Sequence, residues 1–287
     1  MIYSFIEVHE EYPVVKWARF FEVSTSGYYG WLSERVFRAK RDQAYGDEVE
    51  SIFLESRKTY GVERINALLR QRGKRASFSK VRRIMNERGL RSVHVKKIKQ
   101  LTDSRKARGN GYPNLLRGRK ISKPFEVLSS DISYIPTSEG FDYLCQIKDI
   151  HSGQIMASCQ HERMTKDLIL DTIKAAKRRW HLPKGIIFHS DRGSQYTSKE
   201  VVKLLQKYGF KQSFSRIGMP GDNAWSESFF SILKKEVVYP RKFDTRLQAR
   251  QVVFEYIEVF YNRLRIQKKL GFLSPLDWLA SLRTEVA

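Results

Sequence analysis

Hydrophobic positions along the chain fall into two textures. Up to about residue 95 they recur at helical spacing. Val49, Ile52 and Phe53 stand at i, i+3 and i+4 and predict a helix over residues 44–57. Ile65, Leu68 and Leu69 make a further helical face, and Val81, Ile84 and Met85 another. A polar turn with Gly73 separates these two, and Ser77 or Ser79 is placed to cap the second. The first 45 residues are also expected to be helical, with a break at Ser24-Thr25-Ser26-Gly27.

From Pro124 the pattern changes. FEVLSSDISYIP, FDYLCQIKDIH and GQIMASCQH predict three strands with short turns, one at Ser152-Gly153, and hence an antiparallel meander. A helix is expected over 165–181, with Leu168, Ile169, Thr172, Ile173 and Ala176 on its apolar face. GIIFHSD reads as a buried strand that stops at a polar tip. A helix over 197–208, a short strand KQSFS, the loop IGMPGDNA and a helix over 223–238 follow. The order βββαβαβα predicts an α/β fold: an open mixed sheet flanked by helices, preceded by an all-α region. The expected organisation is a helical segment 1–45, a two-helix region 46–95, a linker 96–123, a core 124–265 and a tail 266–287.

Charge sharpens this division. The 287 residues carry a formal net charge of +22. Residues 1–50 contribute −3, residues 51–124 contribute +18 and the remainder +7. Self-repulsion of that size opposes compactness, so a polyanion is the expected partner, nucleic acid before an anionic membrane surface. The short helices around Gly73, with Lys80, Arg82 and Arg83 on the second, read as a helix-turn-helix, or else as a helical hairpin with a solvated basic face. The basic 96–123 stretch can lie along phosphates, which predicts steeply salt-sensitive binding. No apolar run reaches the roughly 20 residues of a membrane-spanning helix. The start MIYSFIEVHEEY has no secretion-signal pattern, so a cytoplasmic, nucleoid-associated protein is expected. With only Cys145 and Cys159, neither a disulfide framework nor a four-cysteine zinc site is available.

Three acids stand where packing does not ask for them. Asp131 interrupts an apolar strand, Asp191 lies just past the strand GIIFHS, and Glu227 sits one turn into a helix. A buried carboxylate tends to take up a proton unless a cation holds it ionised. Three converging carboxylates suit Mg²⁺, or Mn²⁺ in its place, because both prefer oxygen ligands. Lys234, seven residues after Glu227, shares its helix face and could reach a phosphate. Asp222 or Asn223 is placed to cap that helix, with Asp222 read chiefly as a cap. Beside Asp191, Arg192 is a candidate DNA contact, Ser194 and Tyr196 read as loop and substrate-contact residues, and His189 as a phosphate neighbour or a packed core histidine. Trp225, Phe229 and Phe230 could wedge a DNA base or simply pack the helix. Tyr261, Asn262, Arg263 and Arg265 could contact DNA or form a solvated helix end.

These segments resemble a known family. SSDISYI, FHSDRGSQYTS and GMPGDNAWSESFFSILKKE are similar to the acid-bearing segments of the OrfB-type transposases of bacterial insertion sequences. VSTSGYYGWL, TYGVERINALL and YNRLRIQKKLGFLSPLDWL extend the likeness over nearly the whole chain. The chain departs from the family pattern at Val62-Glu63 and at Gln267, where the family carries a basic residue and a histidine. The resemblance implies an RNase H-like, retroviral-integrase-type core at 124–265, with Asp131, Asp191 and Glu227 as a DDE triad and Lys234 as its basic partner. It implies metal-dependent DNA cleavage and strand transfer, with two cations about 3.5–4 Å apart clamping the displacement. It also implies DNA-dependent homo-oligomers and a short upstream reading frame, often fused by frameshifting. A hydrolytic nuclease of the same fold and a catalytically silent DNA-binding regulator are the alternatives.

Overall fold

The computed structural model describes residues 2–93, 113–216 and 220–284. It divides into two compact units, Met1–Ser92 and Val93–Ala287. Most of the expected linker, up to residue 112, lies outside the described residues.

The first unit is all-α: α1 (Ile2–Val8), α2 (Val14–Phe20), α3 (Thr25–Glu55), α4 (Val62–Gln71) and α5 (Phe78–Glu87). The Ser/Gly cluster expected as a break is the start of α3, where Ser24 Oγ accepts from Gly27 N at 2.9 Å. From there one helix of 31 residues crosses the position expected to divide 1–45 from 46–95. Gly46 sits mid-helix under the Arg88 guanidinium, and a Cβ there would come within 2.4 Å of it. Arg88 in turn pairs with Asp47 and Glu50, tying the end of α5 to α3. Val49, Ile52, Phe53, Ile65, Leu69, Val81, Ile84 and Met85 form the apolar interior that their spacing predicts. Ser77 caps α5 through Lys80 N at 3.3 Å. Gly73, at φ +74°, turns the chain after α4 where a side chain would be strained.

The second unit holds β1 (Val127–Thr137), β2 (Gly140–Asp149), β3 (Ile155–His161), α6 (Lys166–Arg179), β4 (Ile187–Ser190), α7 (Lys199–Lys207), β5 (Lys211–Phe214), α8 (Ala224–Leu233), α9 (Arg246–Glu255) and α10 (Pro275–Thr284). The sheet order is β3-β2-β1-β4-β5, with β1–β2–β3 antiparallel and β1, β4 and β5 parallel. This is the expected mixed sheet. One face is apolar: Leu128, Cys145, Ile147, Met156 and Phe188 pack with Leu168, Ile169, Ile173, Val201 and Leu205 of α6 and α7. The opposite face carries Ser129, Asp131, Gln146 and Lys148 beneath α8. Both α8 and α9 run into a π-helical turn, Lys234–Val238 and Tyr256–Tyr261.

The packed unit begins before the expected boundary at 124. Pro113 O accepts from Phe214 N at 3.0 Å, and Leu115 N donates to Ser213 Oγ at 2.9 Å. Leu116 and Ile121 pack on Val127, Ile150 and Ile187. This segment covers the outer edge of β5, which would otherwise present unpaired backbone groups. Beyond α9, the Asn262 amide grips Ile155 through both its backbone groups, at 3.0 and 2.9 Å, and so fixes the tail to the start of β3. No helix among the described residues is long and apolar enough to cross a membrane.

Candidate active site

Strand register brings the two aspartates side by side. Val127, Leu128 and Ser129 of β1 pair with Ile187, Phe188 and His189 of parallel β4. Two residues further along stand Asp131, still in β1, and Asp191, the first residue past β4, following Ser129 and His189 by the same two-residue step. Parallel neighbours lie about 4.8 Å apart, so the carboxylates meet where β4 ends. Asp131 accepts a local bond from Ile132 N at 2.8 Å, and Asp191 one from Gly193 N at 3.1 Å.

Glu227 reaches this end of the sheet on α8, which is held by a buried polar clamp. Ser226 Oγ donates to Ser129 Oγ at 3.1 Å and accepts from Gln146 Nε2 at 3.0 Å. Lys148 Nζ donates to Trp225 O at 2.9 Å. Side chains from β1 and β2 thus fix the two residues preceding Glu227. Burial, with Lys269 nearby, lowers the Lys148 amine to about 7. The sequence reading missed this clamp. Its signal was the run Gln146, Lys148 in alternation with Cys145 and Ile147, which marks a polar face but not what covers it.

Electrostatics follow from the crowding. Burial raises the Asp131 carboxyl to about 8, with further upward contributions from Asp191 and Glu227 and a downward one from Lys234. Burial also raises Asp191 and Glu227. Lys234 Nζ lies 4.7 Å from the centre of the Tyr134 ring; burial lowers its amine and Asp131 favours its charge. Negative charge at the site is therefore under-compensated by protein groups. A cluster of oxygen donors in this condition fits a hard divalent cation. Among the described residues no three His, Cys, Asp or Glu side chains stand at metal-holding geometry as they are. Closing the set around an ion requires side-chain movement.

The other expected site residues divide between surface and interior. Arg82, Arg83 and Arg263 are exposed, and Arg83 pairs along its own helix with Glu87 at 3.0 Å. Lys80 pairs with Asp42 at 2.8 Å and lies over the Tyr45 ring. Arg192 is partly buried, and its Nε donates to Ser215 O at 2.8 Å. Arg265 overturns the expectation of a DNA contact. It is 3% exposed and bonded to Glu236 at 2.6 Å, and Glu236 also accepts from the Tyr256 hydroxyl at 2.6 Å. Tyr261 and Asn262 are likewise interior. A buried cation is stable only with such a partner, so this tail is structural here.

Several alternatives close. His189 is a core histidine, bonded to Ser213 and Ser215 and to Asp222 O, and burial lowers its pKa. Phe229 and Phe230 are buried, and Trp225 packs against Val127, Ile150 and Ile187, so these aromatics pack the helix. Tyr196 is not at the substrate surface: its buried hydroxyl meets Ser130 Oγ at 2.8 Å. Asp222 does not cap α8. It takes both Nε and Nη2 of Arg216 and the Asn114 amide, and the Arg216 bond depresses its carboxyl to about 2. Asn223 occupies the cap position with no side-chain cap bond.

Comparison with known proteins gives a consistent picture. Family profiles described as "Integrase core domain" match residues 121–220 and 227–279, and one described as "HTH-like domain" matches 40–97. A 31 kDa protein of insertion element IS600 from Shigella sonnei is 37% identical over 89% of this chain and 94% of its own length. The transposase InsF for insertion sequence IS3A from Escherichia coli is 33% identical over 96% of this chain and 97% of its own. Among solved structures, the catalytic core domain of BIV integrase is similar over 56% of this chain and 99% of that one, with a TM-score of 0.42 and 15% identity.

Proposed function

From the membership of this chain in the insertion-sequence transposases with an integrase core domain, we infer that it cleaves and joins DNA strands with Asp131, Asp191 and Glu227 as metal-holding carboxylates. The observation that carries this reading is the register that sets Asp131 beside Asp191 at the end of β4, with α8 clamped over the same face.

The three acids would hold two Mg²⁺ ions, with Mn²⁺ able to substitute. Bound there, the ions supply charge stabilisation to the attacking and leaving oxygens of an in-line displacement at phosphorus. The residues themselves do the rest. Asp131, raised to about 8 by burial, would hold an ion only in its deprotonated form, which would tie activity to pH. Lys234, partly buried beside Asp131, presents its ammonium to a phosphate. The Ser129–Ser226–Gln146 and Lys148–Trp225 bonds orient α8, so Glu227 arrives at a fixed position and little is lost in reorganising it. No side-chain nucleophile is required, and the buried Tyr196 is not available as one. The all-α unit, with Arg82 and Arg83 exposed on α5, would hold the DNA, and pairing of two ends calls for a DNA-dependent oligomer.

A strand-transfer assay with a pre-cut terminal end and Mg²⁺ tests this. Joined product is expected, and none from Asp191→Asn. Hydrolysis without joining would identify a nuclease, and DNA transactions unchanged in Asp191→Asn would leave a regulator.

A further inference from the structure

The aromatics that the sequence offered as base contacts are packed away, while others near the acids are not. Tyr134, three residues beyond Asp131 on β1, is 36% exposed, and Phe141 across the hairpin is 50% exposed. Their ring centres are 4.9 Å apart, tilted at 59°. Tyr239, 39% exposed, has its hydroxyl pKa raised by burial and by nearby Tyr134, and its N–H donates to Lys234 O at 2.8 Å, one turn behind the lysine that covers Tyr134. Among the described residues, β4 pairs with β1 no further than Ser129. The result is a solvent-facing group of three rings with an ammonium on one of them. By the β1–β2 register Tyr134 and Phe141 leave the sheet on the side of Ile132 and Tyr143, at the exposed rim beyond the apolar core, and Lys234 reaches Tyr134 there.

We propose that Tyr134, Phe141 and Tyr239 form a stacking platform for unpaired nucleobases of the DNA strand that enters the site. Aromatic faces beside a fixed positive charge are the chemistry by which single strands are held without regard to sequence. Lys234 links the two places: Asp131 favours its charge and its ammonium lies 4.7 Å from the centre of the Tyr134 ring, so a phosphate held by Lys234 puts bases within about 10 Å, the rise of about three stacked nucleotides, near the rings. An unpaired base exposes the faces that a duplex hides, which makes the platform selective for a splayed or overhanging end. This inference rests on the proposed DNA-cleaving reading, yet its readout is binding and needs no turnover.

The full chain is titrated against two fluorescent probes: a blunt duplex, and the same duplex with a five-nucleotide 3′ extension carrying 2-aminopurine. The wild type is expected to favour the extended probe at least 5-fold and to quench the 2-aminopurine. Tyr134→Leu with Phe141→Leu should lose about 5–150-fold on the extended probe, the value of stacking a base, with blunt-duplex affinity unchanged. Tyr134→Phe and Phe141→Tyr, which keep a ring, should retain both the preference and the quenching. Equal binding of the two probes by the wild type would overturn the proposal. So would equal weakening on both probes, or no change on either. A loss of self-association in sedimentation with unchanged probe binding would instead assign the rings to a protein contact. If Asp131→Asn still cleaved DNA, the catalytic reading would fail while these binding results stood.

Discussion

On the face covered by α6 and α7, the sheet presents Leu128, Cys145, Ile147 and Phe188 to an apolar interior. Under α8 it presents Ser129, Asp131, Gln146 and Lys148, and the covering helix answers with Ser226, a backbone carbonyl and Glu227. Both faces are buried, but they are held by different forces. Apolar contact is non-directional and tolerates some repacking, whereas a buried polar network is either satisfied or costly. The first face supplies stability. The second spends some of it to hold carboxylates at fixed positions, with Asp131 raised to about 8 as the visible cost.

Substitutions on the two faces should therefore separate activity from stability. The largest effect is expected at the acids: Asp131→Asn or Asp191→Asn should lower strand cleavage by about 10³-fold or more, since each removes several kcal/mol of charge stabilisation. DNA affinity in a filter or anisotropy assay should stay within a few-fold. On the apolar face, Ile169→Ala should cost about 2–5 kcal/mol in denaturant unfolding, with activity per folded molecule retained. A smaller effect is expected from pH. Below pH 3.8 Asp131 is protonated folded or unfolded and contributes nothing. As pH rises toward about 8 only the unfolded chain loses the proton, so stability falls across that window. In chelator, the Tm of the wild type should drop between pH 5 and 8 by roughly several degrees more than that of Asp131→Asn, and Mg²⁺ should reverse the difference. Smallest in stability is Ser226→Ala, about 1 kcal/mol. Its cleavage rate should nevertheless fall about tenfold through misplacement of Glu227, because small displacements weigh heavily on oriented chemistry. Equal losses of rate and stability there would erase the distinction between the faces.

The sheet was legible because its signals are local. β1 alternates, β4 is a short apolar run ending at a polar tip, and α6 shows a clean apolar stripe, so three elements and the positions of Asp131 and Asp191 could be read directly. What could not be read depends on partners remote in the chain. Arg265 looks like an exposed helix-end cation until Glu236, 29 residues earlier, is folded beside it. Asp222 has the position of a cap, but Arg216 and Asn114 compete for its carboxylate and win. Lys148 follows strand alternation and so suggests a solvated face; only α8 turns that face into an interior. In the all-α unit, the Ser24–Gly27 cluster carries the same residues whether it breaks a helix or begins one. The packing of residues 113–121 on β5 and β1 was hidden by a basic composition that resembles a free linker.

Anomalous diffraction from crystals soaked in Mn²⁺ tests the central claim most directly. The account predicts density between Asp131 and Asp191, with the Glu227 carboxylate drawn in to complete the ligand set, and its loss in Asp131→Asn. Manganese bound only elsewhere, or absent from these carboxylates while DNA is still cleaved, would contradict it.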